Sequence, residues 1–185
     1  VKMYRNIANF KFPGKLTVEN KKQILPLIEN GLIDQCHLQN PFVILAEDMT
    51  PIEKEYLYEH FLAVSSFQQA HGGEAFITDE TGKFLVIINV RDHIQLQLTY
   101  YNNEIEEAWG ELVATETKLG SSIDYSFSPK FGFLSSDFST CGTGLVVYIF
   151  LHVPALVHTN KLNDILLGTS DDDEEVVTEG IQGNL

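Results

Sequence analysis

The chain has 185 residues, enough for one domain with a sizeable core, and 44% of them are hydrophobic, a composition that excludes a disordered chain. Its formal net charge of −14 repels a phosphate backbone and sets nucleic acid aside as a partner. No apolar run is long enough to cross a bilayer and the start carries no secretory pattern, so a soluble, cytoplasmic protein is expected, with no membrane partner.

Phe10 to Gly14 reads as a turn, and Leu16 to Glu19 as a helix start with Thr17 as N-cap. Pro26 is expected to kink or end that helix and Gly31 to close it. Pro41 to Ala46 reads as a strand. Thr50-Pro51-Ile52-Glu53 combines an N-cap, a proline in the first turn and a capping-box glutamate, and predicts a helix to about Phe61. Glu74–Thr78 and Lys83–Asn89 form a predicted hairpin through Asp79–Gly82.

Phe84 to Ile88 is an unbroken apolar run, the pattern of a strand buried on both faces. Ile94, Leu96 and Leu98 alternate with Gln95 and Gln97, the pattern of a half-exposed strand. Between them lies the polar corner Asn89-Val90-Arg91-Asp92-His93, and polar groups crowded at the end of a buried strand are a place to look for chemistry.

Glu104 to Leu119 is the clearest helix, with Ile105, Ala108, Trp109, Leu112, Val113 and Leu119 as its expected core stripe. Leu145 to Val153, interrupted only by His152, reads as a further buried strand, and Asn160 to Leu167 as a short helix. The run Asp171-Asp172-Asp173-Glu174-Glu175 repels itself and predicts a mobile loop over residues 169–180. Cys36 and Cys141 form no Cys-x-x-Cys pair, so reduced thiols and no metal site are expected. Ser135, Ser136 and His152 make no hydrolase signature, and Gly142-Thr143-Gly144 lacks the lysine and spacing of a P-loop.

The corner resembles the Asn-Glu-Glu-Asp-His motif of the guanidino phosphotransferases, the family of the phosphagen kinases and the bacterial protein-arginine kinases. Asn89, Asp92 and His93 match, while Val90 and Arg91 stand where that motif has two glutamates. Val1 to Asn6 resembles the family segment that carries phosphate-binding arginines, with Lys2 in place of one arginine and Arg5 matching a later one. Glu59-His60-Phe61-Leu62 is similar to a segment whose histidine borders the nucleotide pocket. Gly132-Phe133-Leu134 through Gly142-Thr143-Gly144, with the ending His152-Val153-Pro154-Ala155-Leu156, resembles the family's Gly-Phe/Tyr-Leu-Thr-x-Cys segment and the strand after it. The Leu16-Thr17 opening, the Gly-Thr-Gly turn and that ending favour the bacterial branch.

The resemblance implies an α+β fold, a large and mostly antiparallel sheet flanked by helices, with residues 1–185 forming one domain cut from a longer catalytic domain. It implies ATP and Mg as cofactors. It also implies candidate catalytic positions at Asn89, Val90, Arg91, Asp92 and Asp137, and nucleotide positions at Lys2, Arg5, His60, Gln95 and Val146. Phosphoryl transfer to a guanidinium needs cations around the moving group and carboxylates that orient the acceptor and take its proton. Here the corner glutamates are Val90 and Arg91, the substrate-contacting cysteine is Asp137, and expected arginines are Gln95, Val146 and Leu167. The losses fall on both reacting sides and spare the glycine turns and apolar strands. The expected reading is a degenerate member that works by protein binding or regulation, with a basic protein or a regulatory adaptor as partner and a homo-oligomer as a further expectation. The alternative is an active protein-arginine kinase in which Asp137 supplies a carboxylate and Arg91 a phosphate contact.

Overall fold

The computed structural model describes residues 1–36, 38, 40–59, 72–101 and 104–161. They fall into two compact units, residues 1–148 and 149–185. The first unit opens with β1 (Lys2–Arg5) and a 3-10 turn at Pro13–Lys15, followed by α1 (Val18–Cys36), β2 (Phe42–Leu45) and α2 (Pro51–Glu59). β3 (Ala75–Thr78), β4 (Phe84–Ile88), β5 (Ile94–Leu98) and α3 (Ile105–Leu119) follow. The unit ends with β6 (Phe127–Ser128), β7 (Gly132–Phe133), a 3-10 turn at Phe138–Thr140 and β8 (Leu145–Val146). In the second unit the described residues form α4 (Pro154–His158).

Six strands pair in the order β2-β3-β4-β5-β1-β8, every neighbour antiparallel, and β6 and β7 form a separate two-stranded ribbon. One face of the sheet carries Met3, Ile77, Val86, Ile88, Ile94 and Leu96 against Ile24, Ile28 and Leu32 of α1 and Leu112 and Leu119 of α3. The other face carries Phe76, Leu85 and Ile87, packed with Leu57 of α2, Met49 and Val90. The expected α+β architecture is therefore present, with helices on both faces.

The helix starts behave as their sequences dictate. Thr17 Oγ1 accepts from Asn20 N, and the Thr50–Glu53 capping box closes in both directions, with Thr50 N donating to Glu53 Oε2 at 2.7 Å and Glu53 N to Thr50 Oγ1 at 3.3 Å. The hairpin turn closes at Gly82, whose φ of +66° suits glycine.

Several expectations are corrected. Neither Pro26 nor Gly31 ends α1, which runs through both to Cys36. Pro26 faces solvent, where water serves the carbonyl that loses its partner. Gly31 is buried because a Cβ there would stand 2.7 Å from Leu119 Cδ1, so it lets α3 approach α1. Gln95 and Gln97 are buried, not half-exposed, because the sheet is covered on both faces. Trp109 is 50% exposed and leaves the core to Ala108, Leu112 and Leu119. The strand expected over Leu145–Val153 stops at Val146: β8 is the edge of the sheet, and the run beyond has no partner strand among the described residues. A short helix, α4, begins at Pro154 with proline in its first turn, while the helix expected over Asn160–Leu167 lies almost wholly outside the described residues. His60, Leu167 and the acidic loop lie outside the described residues.

Candidate functional site

The polar corner is built from the end of β4 inward. Asn89 takes φ +61°, a left-handed conformation that asparagine tolerates better than most residues. Its Nδ2 donates to Lys21 O at 3.0 Å and Gly73 O at 2.9 Å, tying the corner to α1 and to the approach to β3. Val90 turns into the apolar cluster around Phe76 and Ile87. Asp92 is buried and acts as the hub. Its carboxylate accepts from Asn6 Nδ2 at 2.5 Å, Ser136 N at 2.7 Å and Ser136 Oγ at 2.9 Å, with Ser135 Oγ at 3.3 Å. The residue that follows β1, the corner and the 135–136 segment therefore share one carboxylate.

Arg91 points outward. Its Nη2 lies 3.4 Å from Asp137 Oδ2, across 46 residues of sequence. Asp137 also caps the 3-10 turn, accepting from Ser139 N at 3.0 Å and Ser139 Oγ at 2.8 Å. Those two bonds, with the Arg91 guanidinium adding to them, hold its carboxyl below the usual range. Two positions that depart from the family pattern thus face each other as an ion pair. The turn that presents Asp137 depends on Gly132: a Cβ at its φ of +75° would stand 2.6 Å from Gly142 Cα.

The expected nucleotide positions separate by sheet face. Lys2 stands opposite Gln97 on β5 and Val146 on β8, and Tyr4 stands opposite Gln95. Lys2, Tyr4, Gln95, Gln97 and Val146 therefore share one face. Lys2 Nζ sits 4.3 Å from the Tyr148 ring centre. Burial, together with the hydrogen-bonded Tyr148, holds the Tyr4 phenol protonated far above its ordinary range. Gln95 is buried with no partner for Nε2 among the described residues.

Arg5 projects to the opposite, helix-covered face. Its Nε bonds Glu116 Oε1 of α3 at 2.8 Å, Nη1 donates to Tyr4 O and Thr143 O at 2.8 Å each, and the guanidinium lies 3.7 Å from the Phe133 ring centre. The sequence signals Lys2 and Arg5 together as charges and gives no sign of this separation. It also gives no sign of Asn6, Tyr4, Tyr148 or Glu116, whose roles come from cross-strand register and long-range packing.

His93 completes the corner. Its Nδ1 accepts from Ile7 N at 3.1 Å, which fixes the neutral ring with its proton on the other nitrogen. Burial pushes its pKa down from 6.5 to about 4. The unfolded chain therefore takes up this proton first as pH falls. The stability contributed by neutral His93 is complete above about pH 6.5 and is lost as pH falls toward 4, a change of about 3 kcal/mol. Urea denaturation at pH 7 and pH 4.5 is expected to show it, and His93→Gln is expected to flatten that part of the pH profile.

A family model described as ATP:guanido phosphotransferase, C-terminal catalytic domain, matches residues 33–184. Among curated proteins, a protein-arginine kinase of Chlamydia pneumoniae is 32% identical over 180 residues, which is 96% of this chain and 48% of the relative. Another, of Chlamydia muridarum, is 35% identical over 163 residues, 88% of this chain and 46% of the relative. The chain spans about half the length of the curated relatives it matches. Among solved structures, the substrate-free duplicated taurocyamine kinase from Schistosoma mansoni aligns with a TM-score of 0.67 at 20% identity, covering 77% of this chain and 22% of that one. A lombricine kinase aligns at 0.62 and 17% identity, covering 77% and 44%. At these identities the likeness is one of fold.

Proposed function

Because the chain belongs to the ATP:guanido phosphotransferase family, through its C-terminal catalytic domain, we propose that it is a degenerate protein-arginine kinase relative that acts through protein binding and not through phosphoryl transfer. The observation that carries this reading is the Arg91–Asp137 ion pair. A guanidinium of the chain itself stands against the carboxylate that replaces the substrate-contacting cysteine, in the place where the motif calls for a glutamate.

The residues on the sheet face that carries Lys2 do not fit a polyphosphate. Among the described nucleotide positions there, Lys2 is the one cation, and its charge lies over Tyr148. Gln95 and Val146 bring none, and the Tyr4 phenol, held protonated, brings none either. Arg5 is committed to Glu116 on the other face. No step of a phosphoryl transfer is therefore assigned to these side chains.

The second reading, an active kinase with rearranged residues, is favoured by the relatives, which carry the name protein-arginine kinase. Calorimetric titration of Mg-ATP into the full-length protein separates the two, paired with a phosphoarginine assay on a basic protein substrate. Each charge-assisted phosphate bond is worth about 1.5–3 kcal/mol, so weak or absent binding and no phosphoarginine are expected. Restoring glutamate at Val90 and Arg91 alone is expected to leave the protein inactive. Micromolar affinity with turnover would overturn the reading and make Arg91 and Asp137 working residues.

A further inference from the structure

The single tryptophan of the chain sits on a helix and is half exposed. Trp109 lies one step outside the buried stripe of α3, with Ile105 and Val113 one turn away on either side, both partly buried. Glu106, Glu107 and Glu111 surround this apolar strip and are exposed. None of the three enters a salt bridge among the described residues. The local field is negative enough to act on a neighbour. The Tyr100 pKa is pushed up to about 12, first by the hydrogen bond to Glu111, then by burial, and last by the charges of Glu111, Glu107 and Glu104.

We infer that this face of α3 is a docking surface for an arginine- and lysine-rich segment of a partner protein. Charge complementarity selects the occupant. A second copy of the chain brings another net charge of −14, and nucleic acid brings phosphates, so both are repelled. A basic segment finds carboxylates that enter no salt bridge among the described residues beside an indole face, the aromatic that attracts a guanidinium most strongly, and exposed tryptophans are frequent anchors of interfaces. This surface lies on α3, away from the polar corner, and its use does not depend on whether the corner retains catalysis.

Trp109 is its own reporter. An alternating arginine–alanine peptide carrying a dye at one end is titrated into the full-length protein at low salt, following indole emission and dye anisotropy together. Saturable anisotropy with a matching change in Trp109 emission, weakening as salt rises, is the expected result. Trp109→Ala is expected to weaken binding about tenfold or more, with an unchanged unfolding midpoint because the side chain is half exposed. The double variant Glu106→Lys, Glu111→Lys tests the charges independently and is expected to abolish binding. Three results would overturn the inference: an indole that acrylamide cannot quench, which means the face is covered; anisotropy that saturates while the emission stays still; or equal binding by Trp109→Ala.

Discussion

Replacing Asp92 with alanine is expected to destabilise the first unit by about 3–5 kcal/mol. The carboxylate is buried and serves Asn6, Ser135 and Ser136 at once, so its removal strands donors from two distant segments. The Asn6 side chain keeps two bonds, from Nδ2 to Leu134 O and from His93 N to Oδ1, but Ser136 N and the buried Ser135 hydroxyl lose their acceptor. Asp92→Asn keeps the shape, removes the charge and turns an amide toward groups that donate, so a smaller loss of about 2 kcal/mol is expected. Urea denaturation of the wild type and the two variants measures both. A loss under about 1 kcal/mol for the alanine variant would mean that water replaces the carboxylate and that the corner is not held from within.

Arg5→Ala is the second large effect, with an expected cost of about 3–5 kcal/mol. The guanidinium is almost fully buried, and its partner Glu116 is 12% exposed, so truncation leaves a carboxylate without its counter-charge and a cavity over Phe133. Lysine does not rescue it, because one ammonium cannot bond Glu116, Tyr4 O and Thr143 O in a planar fork while lying on a ring. Glu116→Gln in the Arg5→Ala background is expected to recover part of the loss, since it removes the uncompensated charge. A double-mutant cycle with a coupling near zero would show that Arg5 stabilises through packing alone.

The fold was legible in the sequence wherever a local rule decided the outcome. The capping box at Thr50, the hairpin closed by Gly82 and the apolar run Phe84–Ile88 are each set within a few residues, and each appears where expected. The misreadings share a physical origin. Gln95 and Gln97 alternate with isoleucine and leucine like residues facing water, yet what lies over the sheet is decided by distant segments. Trp109 has the right spacing for the core, but α1 and the sheet take up only the narrower stripe of Ala108, Leu112 and Leu119. The apolar run after Leu145 has strand composition, and composition cannot supply a partner strand.

The site was legible as a set of positions and not as an arrangement. The resemblance located the corner and the departures from it. That Arg91 and Asp137 meet, that Lys2 and Arg5 diverge to opposite faces, and that Tyr4 and Tyr148 share a hydrogen bond all depend on register between strands far apart in sequence.

Register also decides which reversals of these substitutions the fold would tolerate. The Arg91–Asp137 pair is exposed and contributes at most about 1 kcal/mol, so changing either residue first crosses only a shallow valley, and the two can revert in either order. Position 146 is different. It lies directly opposite Lys2 across the β1–β8 ladder, so an arginine returning there would confront a like charge on the neighbouring strand. Such a chain would be most stable with a polyanion between the two cations. A cation at position 146 would therefore be favoured only where an anion is already abundant.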